Sequence, residues 1–214
     1  TFHTSLGETV TVTSMNYGWK MDEETEAAWL DETLKSGEST TRQPQWLESA
    51  MARGEENDIG DTYVEINLTA QHLFFYQDGK LMMESDFVSG NSAKGYDTPA
   101  GVYSITYKQR DATLTGENYQ TPVSYWMPFN KNIGMHDANW RSSFGGTIYK
   151  TKGSHGCINM PPAKAQEMYS YVQKGTPVIC YHLAGTERPS EQEKGAPTEG
   201  SEAADTSAET DTVQ

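Results

Sequence analysis

Gly153-Ser154-His155-Gly156-Cys157-Ile158-Asn159-Met160, closed by Pro161-Pro162, is the stretch from which the rest of the chain is read. A cysteine stands there among small residues and a histidine, in a segment that starts with glycine and stops at the two prolines. A thiol framed by small residues is a candidate nucleophile, because the backbone around it can approach a substrate closely. The plainer alternative is a structural cysteine in a glycine-rich turn. The chain has 2 cysteines, and the other, Cys180, lies in an apolar run. Two cysteines do not make a disulfide framework. Pairing them would also remove the nucleophile, so two free thiols are expected.

A thiol near neutral pH is mostly protonated and needs a base or a neighbouring cation. The chain has 5 histidines. His136 ends Asn132-Ile133-Gly134-Met135-His136-Asp137, which reads as a short strand running into a polar loop. A strand end can bring an imidazole beside a thiol that is distant in sequence. His155 is nearer in sequence, and in an extended segment it would share a face with Cys157. A tight turn breaks that rule, so His155 is either the base or a residue that orders the turn. His136 is taken as the base and His155 as its support. His3, His72 and His182 read as surface or satisfied core residues. The turn containing Ser154, Gly156 and Cys157 can offer backbone amides to an oxyanion. Asn159 either fixes the cysteine loop or is an ordinary turn residue.

These segments together resemble the L,D-transpeptidase family, bacterial cell-wall enzymes with a catalytic cysteine. The signature is carried by Ile133-Gly134-Met135-His136-Asp137 and, after a gap, Gly153 to Asn159. Asp97-Thr98-Pro99-Ala100-Gly101-Val102-Tyr103 resembles the family's Thr-Pro-x-Gly strand start. Tyr63 to Leu68 with Gln71-His72-Leu73 resembles its first hairpin, and Gly175-Thr176-Pro177-Val178-Ile179 its last strand. The resemblance covers about residues 60–183. It implies a β-sandwich of mixed sheets with a capping helix. It also implies that residue 137 orients the histidine through its backbone carbonyl, so the side chain of Asp137 is free to vary. Trp140 matches a family position near the active site, and Tyr125, Trp126 and Met127 are candidate cleft walls beside it. For Tyr125 and Trp126, ordinary core packing is an equal alternative.

The reaction implied is attack by Cys157 after the third residue of a peptidoglycan tetrapeptide stem, with release of D-alanine. The thioester then passes to an amine of a neighbouring stem, giving a 3→3 cross-link. Donor and acceptor stems are the implied partners, and carbapenems the implied covalent inhibitors. The implied location is extracytoplasmic, at the cell wall or outer membrane face of a Gram-positive-type bacterium. A membrane would be touched only through an anchor upstream of Thr1. Two other classes stand beside this one. A carboxypeptidase or cell-wall endopeptidase would use the same Cys-His pair with water as acceptor. A binding module would hold peptidoglycan without chemistry, which an intact Cys157 and His136 disfavour. No cofactor is expected: phosphate-binding fingerprints are missing, and the His/Cys spacings lack the paired ligands typical of zinc sites.

Composition frames this reading. The chain has 214 residues and a formal charge of −14, which argues against nucleic-acid binding. No run approaches the ~20 apolar residues that cross a bilayer. Residues 184–214 are acidic, rich in small residues and without aromatics. Such a segment cannot bury enough apolar area to offset chain entropy, so a disordered tail is expected. Residues 59–183 form the expected catalytic domain. Leu73-Phe74-Phe75-Tyr76-Gln77 and Lys80-Leu81-Met82-Met83 flank Asp78-Gly79, a strong type I′ hairpin signal. Further strands are expected at Tyr103–Lys108, Thr121–Met127, Gly146–Tyr149 and Thr176–His182. One helix starts at Pro161-Pro162 and stops before Gly175, with Ala165, Met168, Tyr169 and Val172 as its buried stripe. Many short strands and one helix make the domain mainly β, a sandwich with a capping helix.

Residues 1–58 read as part of a small α/β module. Glu8–Thr13 alternates like a strand. Asp22 precedes an acidic first turn and Gly37 follows Lys35, the start and stop of a helix. Ala27, Leu30 and Leu34 form its apolar stripe. Tyr17-Gly18-Trp19-Lys20 resembles part of the peptidoglycan-binding module that precedes the catalytic domain in Gram-positive relatives. A segment that simply docks on the catalytic domain is the alternative. The polar run Arg53 to Asp58 marks the boundary.

Overall fold

A computed structural model of the chain describes residues 1–54, 57–116 and 119–189. Most of the acidic tail, and part of the polar boundary run, lie outside the described residues. In chain order the first elements are β1 (Phe2–His3), β2 (Thr9–Val10), β3 (Lys20–Met21), α1 (Glu23–Ser36) and β4 (Trp46–Glu48). Then come β5 (Tyr63–Asn67), β6 (His72–Gln77), β7 (Lys80–Asp86), β8 (Gly101–Ser104), β9 (Gln109–Gly116), β10 (Tyr119–Asn130) and β11 (Ile133–Asp137). The short helix α2 (Tyr149–Lys152), β12 (Ile158–Met160), α3 (Pro162–Tyr171) and β13 (Pro177–Tyr181) complete the order.

The chain is mainly β, with two mixed sheets face to face. One runs β7-β6-β5-β13-β8 and the other β12-β11-β10-β9. Each contains one parallel pair, β5 with β13 and β11 with β12. Alternation along the strands sends every second side chain into the space between the sheets. Val64, Ile66, Leu73, Phe75, Tyr103, Val178 and Cys180 enter from the first sheet, and Met127, Phe129, Met135, Ile158 and Met160 from the second. Helix α3 closes this core with Ala165 and Met168, and Val172 follows at its end. Its stripe is the one the sequence indicates, and Pro162 sits in its first turn. The β6–β7 hairpin also matches expectation: Asp78 (φ 49°) and Gly79 (φ 73°) are both left-handed, as a type I′ link requires.

The outer face of the first sheet is covered. Ile179 and Tyr181 alternate with Val178 and Cys180 on β13 and pack outward against Phe2, Tyr17, Ile59 and Val102. The buried carboxylate of Glu65 accepts from Tyr181 Oη (2.6 Å) and Ser5 N (3.0 Å). Asn16 donates to the Phe129 carbonyl (2.8 Å) and accepts from Ser104 N (3.0 Å). Residues 2–17 thus lie on the sandwich, as a docking segment does.

Three local expectations are corrected. Asp22 caps α1 through Thr25 N and Gly37 ends it in the left-handed region (φ 68°), but no residue of α1 is buried. Leu30 is 51% and Leu34 80% exposed. The half-buried face instead carries Glu26, Trp29 and Thr33, because Arg42 stacks 4.1 Å from the Trp29 ring and pairs with Glu26 at 2.9 Å. Residues 146–149 are not a strand. Gly145 and Gly146 hold φ of 81° and 58°, which turns the chain into α2. The strand expected at 103–108 ends at Ser104, and residues 109–116 form β9 instead.

Candidate active site

The same alternation that builds the core places chemistry on the opposite face of the second sheet. Met135, Ile158 and Met160 point inward. Their strand neighbours His136 and Asn159 are paired across the parallel β11–β12 ladder and point outward. Cys157, two residues before Asn159, takes the same side, where it packs with Ala112, Val123 and Trp126. Cys157 and His136 line one cavity of about 260 Å³, shared with Trp140, Arg141, Ser154, His155 and Asn159, and rimmed by Leu114, Thr121 and Gly153.

The turn that presents Cys157 is held from three sides. Ser154 Oγ donates to the Cys157 carbonyl (2.6 Å) and accepts from Gly156 N (3.0 Å). That amide is thereby committed inside the turn. Ser154 N and O bond to Ser89 O and Asn91 N, both at 2.9 Å. The buried Thr98 hydroxyl donates to the Gly156 carbonyl (2.7 Å) and accepts from Gly90 N (3.1 Å). Gly156 has φ +116°, and a Cβ there would sit 3.1 Å from Ile133 Cδ1. A side chain is therefore strained at this position on two counts. Thr98 was legible only as part of a strand start; its hold on the cysteine turn was not.

His136 is fixed in one tautomer. Its Nδ1–H donates to the Asp137 carbonyl at 2.8 Å, the backbone contact that the resemblance implies for this position. The Asp137 carboxylate turns away and accepts from Tyr125 N (2.8 Å). With the Asn159 amide oriented to satisfy both its ends, its NH2 donates to His136 Nε2 (3.1 Å) and its oxygen accepts from Arg141 Nε (2.8 Å). Nε2 is thus the unprotonated nitrogen, and its single lone pair is held by Asn159; that contact must give way when the imidazole acts as a base. The imidazole lies between Trp126 and Trp140, with ring centroids 5.9 Å from each. Burial is the main influence on His136 and lowers its pKa, countered by the Asp137 carbonyl and reinforced by the Arg141 charge. Burial pushes the Cys157 thiol up to about 11, partly offset by the Gly134 backbone. Both directions favour a neutral thiol and a neutral imidazole at rest. The thiol itself contacts the Asn132 carbonyl at 3.5 Å.

The other sequence candidates divide. His155 is exposed at the cavity mouth and its ring lies 4.8 Å from that of Tyr96. Trp140 lines the cavity and is half exposed. Trp126 touches His136 from behind and donates to Tyr107 Oη (3.3 Å). Met127 is fully buried between the sheets, and Tyr125 packs on Tyr169 and under Arg110. Neither lines the cavity: Met127 belongs to the core between the sheets, and Tyr125 is taken up by its contact with Tyr169 of α3. Arg141, Leu114 and Thr121 were not singled out by sequence. The signal for Arg141 was available: a basic residue directly after Trp140 in an acidic chain. Cys157 and Cys180 are both free thiols, and Cys180 is wholly within the core. Among the described residues, no group of three or more His, Cys, Asp or Glu is placed to hold a metal ion.

Residues 61–180 match the YkuD family, L,D-transpeptidase catalytic domain. A solved structure of an Enterococcus faecium L,D-transpeptidase, a cysteine-to-serine mutant, is 38% identical, covers 84% of this chain and 73% of its own, and superposes with a TM-score of 0.71. The catalytic domain of an E. faecium L,D-transpeptidase, solved acylated by ertapenem, is 45% identical over 58% of this chain and 100% of its own, with a TM-score of 0.53. L,D-transpeptidase 2 of Mycobacterium tuberculosis is 25% identical over 99 residues, which is 46% of this chain and 22% of that protein. This chain therefore spans about a fifth of that curated relative.

Proposed function

Because this chain belongs to the L,D-transpeptidase catalytic-domain family, we propose that it cross-links peptidoglycan stem peptides through a thioester on Cys157. The observation that carries the reading is the shared cavity of Cys157 and a His136 whose Nδ1–H is bound to a backbone carbonyl. His136 Nε2, released from Asn159, takes the proton of a thiol that leaves the Asn132 carbonyl as Sγ attacks the carbonyl after the third stem residue. The tetrahedral oxyanion is met by the Cys157 amide of the turn. The C–N bond then breaks, and His136 returns the proton to the amine of the departing D-alanine. An amine of a second stem attacks the thioester, His136 accepts its proton, and the thiol is restored with that proton.

Neutral resting partners suit this sequence, because the proton moves only when the carbonyl is in place. Ser154, Gly156 and Asn159 act by holding the turn and the base. His155 and Trp140 line the approach to the thiol. The stems lie outside the cytoplasm, so the enzyme works at the wall or the outer membrane face. β-Lactams that acylate the E. faecium relative should acylate this thiol too. Residues 1–58 assist by docking on the catalytic domain; peptidoglycan contact by this region is a further part of the proposal. Mass analysis of products from purified tetrapeptide stems tests the reaction. Dimers linked 3→3, with loss of D-alanine, are the expected outcome. Trimmed monomers alone would assign water as the acceptor and replace transfer by hydrolysis.

A further inference from the structure

We infer that Arg141 is the donor-specificity residue, and that it binds the free carboxylate of the stem's terminal D-amino acid. The inference rests on the proposed donor reaction and adds to it the chemistry by which the leaving residue is read. The chain carries 30 acidic and 16 basic side chains, yet among the described residues the cavity lining holds Arg141 and no carboxylate. The cavity is therefore an electropositive recess in an acidic protein, and it attracts anions from solution.

Arg141 is half-buried, and burial lowers the pKa of its guanidinium. Its hydrogen bonds run through Nε (2.8 Å) and one terminal nitrogen (3.3 Å) to the Asn159 oxygen, a neutral acceptor. Among the described residues it has no ion-pair partner. A guanidinium carries five N–H donors in a planar fork that matches a carboxylate. The Asn159 contact orients that fork and leaves donors for a ligand. A desolvated arginine without a counter-ion is costly, and an anionic substrate group relieves that cost on binding.

The position also fits. Asn159 and Cys157 lie two residues apart on the same face, about 6–7 Å along an extended strand. In a tetrapeptide stem, the terminal carboxylate is three bonds from the carbonyl that Cys157 attacks. A guanidinium anchored at Asn159 is thus at the distance of the leaving residue, on the same side as the thiol. Binding a terminal carboxylate there selects stems whose fourth residue is the last, and rejects chains that continue.

The test compares a tetrapeptide stem with the same stem ending in a carboxamide. The rate of thioester formation on the intact protein is followed by mass spectrometry. The wild type should acylate about 10- to 100-fold faster, in kcat/KM, with the free acid, the range of a charge-assisted pair. Arg141→Gln should lose that preference by slowing the acid alone, and Arg141→Lys should keep part of it. Alkylation of Cys157 by neutral iodoacetamide should be unchanged in both variants, which checks that fold and thiol are intact. Equal slowing of both substrates in Arg141→Gln, or a wild type indifferent to the carboxylate, would overturn the inference and leave the donor reaction standing. A wild type that forms no thioester with either stem would sink both.

Discussion

The two sheets of the sandwich treat their outer faces in opposite ways. On the five-stranded sheet, Ile179, Tyr181 and Val102 are sealed under Phe2 and Tyr17, and even the carboxylate of Glu65 is fully bonded. On the four-stranded sheet, Cys157, His136 and Asn159 face a cavity. The inner faces of both are alike, a continuous apolar core. The two cysteines make the same contrast: Cys180 is buried in the core, Cys157 at the cavity floor. Alternation along a strand is enough to separate a stabilising face from a chemical one. What differs is whether another part of the chain lies on top.

Changes on the open face should cost chemistry and spare stability, and changes under the cover should do the reverse. His136→Gln should slow acylation by about 10²–10⁴-fold, the usual contribution of a general base. Its thermal unfolding should stay near that of the wild type; equal loss of folding would blur the contrast. The next largest effect concerns pH. Because burial holds the Cys157 thiol up to about 11, its thiolate fraction rises tenfold per pH unit below that value. Iodoacetamide alkylation of Cys157, read by peptide mass, should therefore increase about 100-fold between pH 7 and 9. A plateau below pH 8 would mean a resting thiolate–imidazolium pair instead. The base limits the acid side: with its pKa lowered, His136 stays neutral to below ~6.5, the ordinary histidine value. The acid limb of substrate acylation should thus lie below the ordinary histidine value, and a limb above it would contradict the buried neutral base.

Under the cover, Glu65→Ala leaves the buried Tyr181 hydroxyl and Ser5 amide without their acceptor. Denaturant unfolding should show a loss of about 1–3 kcal/mol, with acylation per folded molecule unchanged. The smallest effect is expected on α1. Leu34 is 80% exposed, so Leu34→Gln should shift stability by no more than ~0.5 kcal/mol. A larger loss would show that the apolar stripe is buried after all.

How much of this was legible in sequence follows from which forces act locally. The Asp78-Gly79 hairpin and the Asp22 and Gly37 ends of α1 were readable, because left-handed φ and helix caps depend on one or two residues. The α3 stripe was readable because its periodicity and its burial agree. The stripe of α1 misled because Arg42, distant in sequence, chose the Trp29 face. Strand β9 was hidden by its polar sequence: it pairs only with β10 and is largely exposed. Cys157 and His136 were found because chemistry restricts which residues can serve. Met127 was misplaced because burial between the sheets and a place in the cleft look alike in an apolar run, and Arg141 was missed because its charge stands out only against the acidic chain around it and the cavity it lines.

The most direct test is intact-protein mass spectrometry after mixing with a tetrapeptide stem, for wild type and Cys157→Ala. The wild type should gain the mass of the stem less that of D-alanine, in a hydroxylamine-labile bond, and the alanine variant should gain nothing. The same adduct on the alanine variant, or a wild-type adduct carried by another residue, would contradict the account.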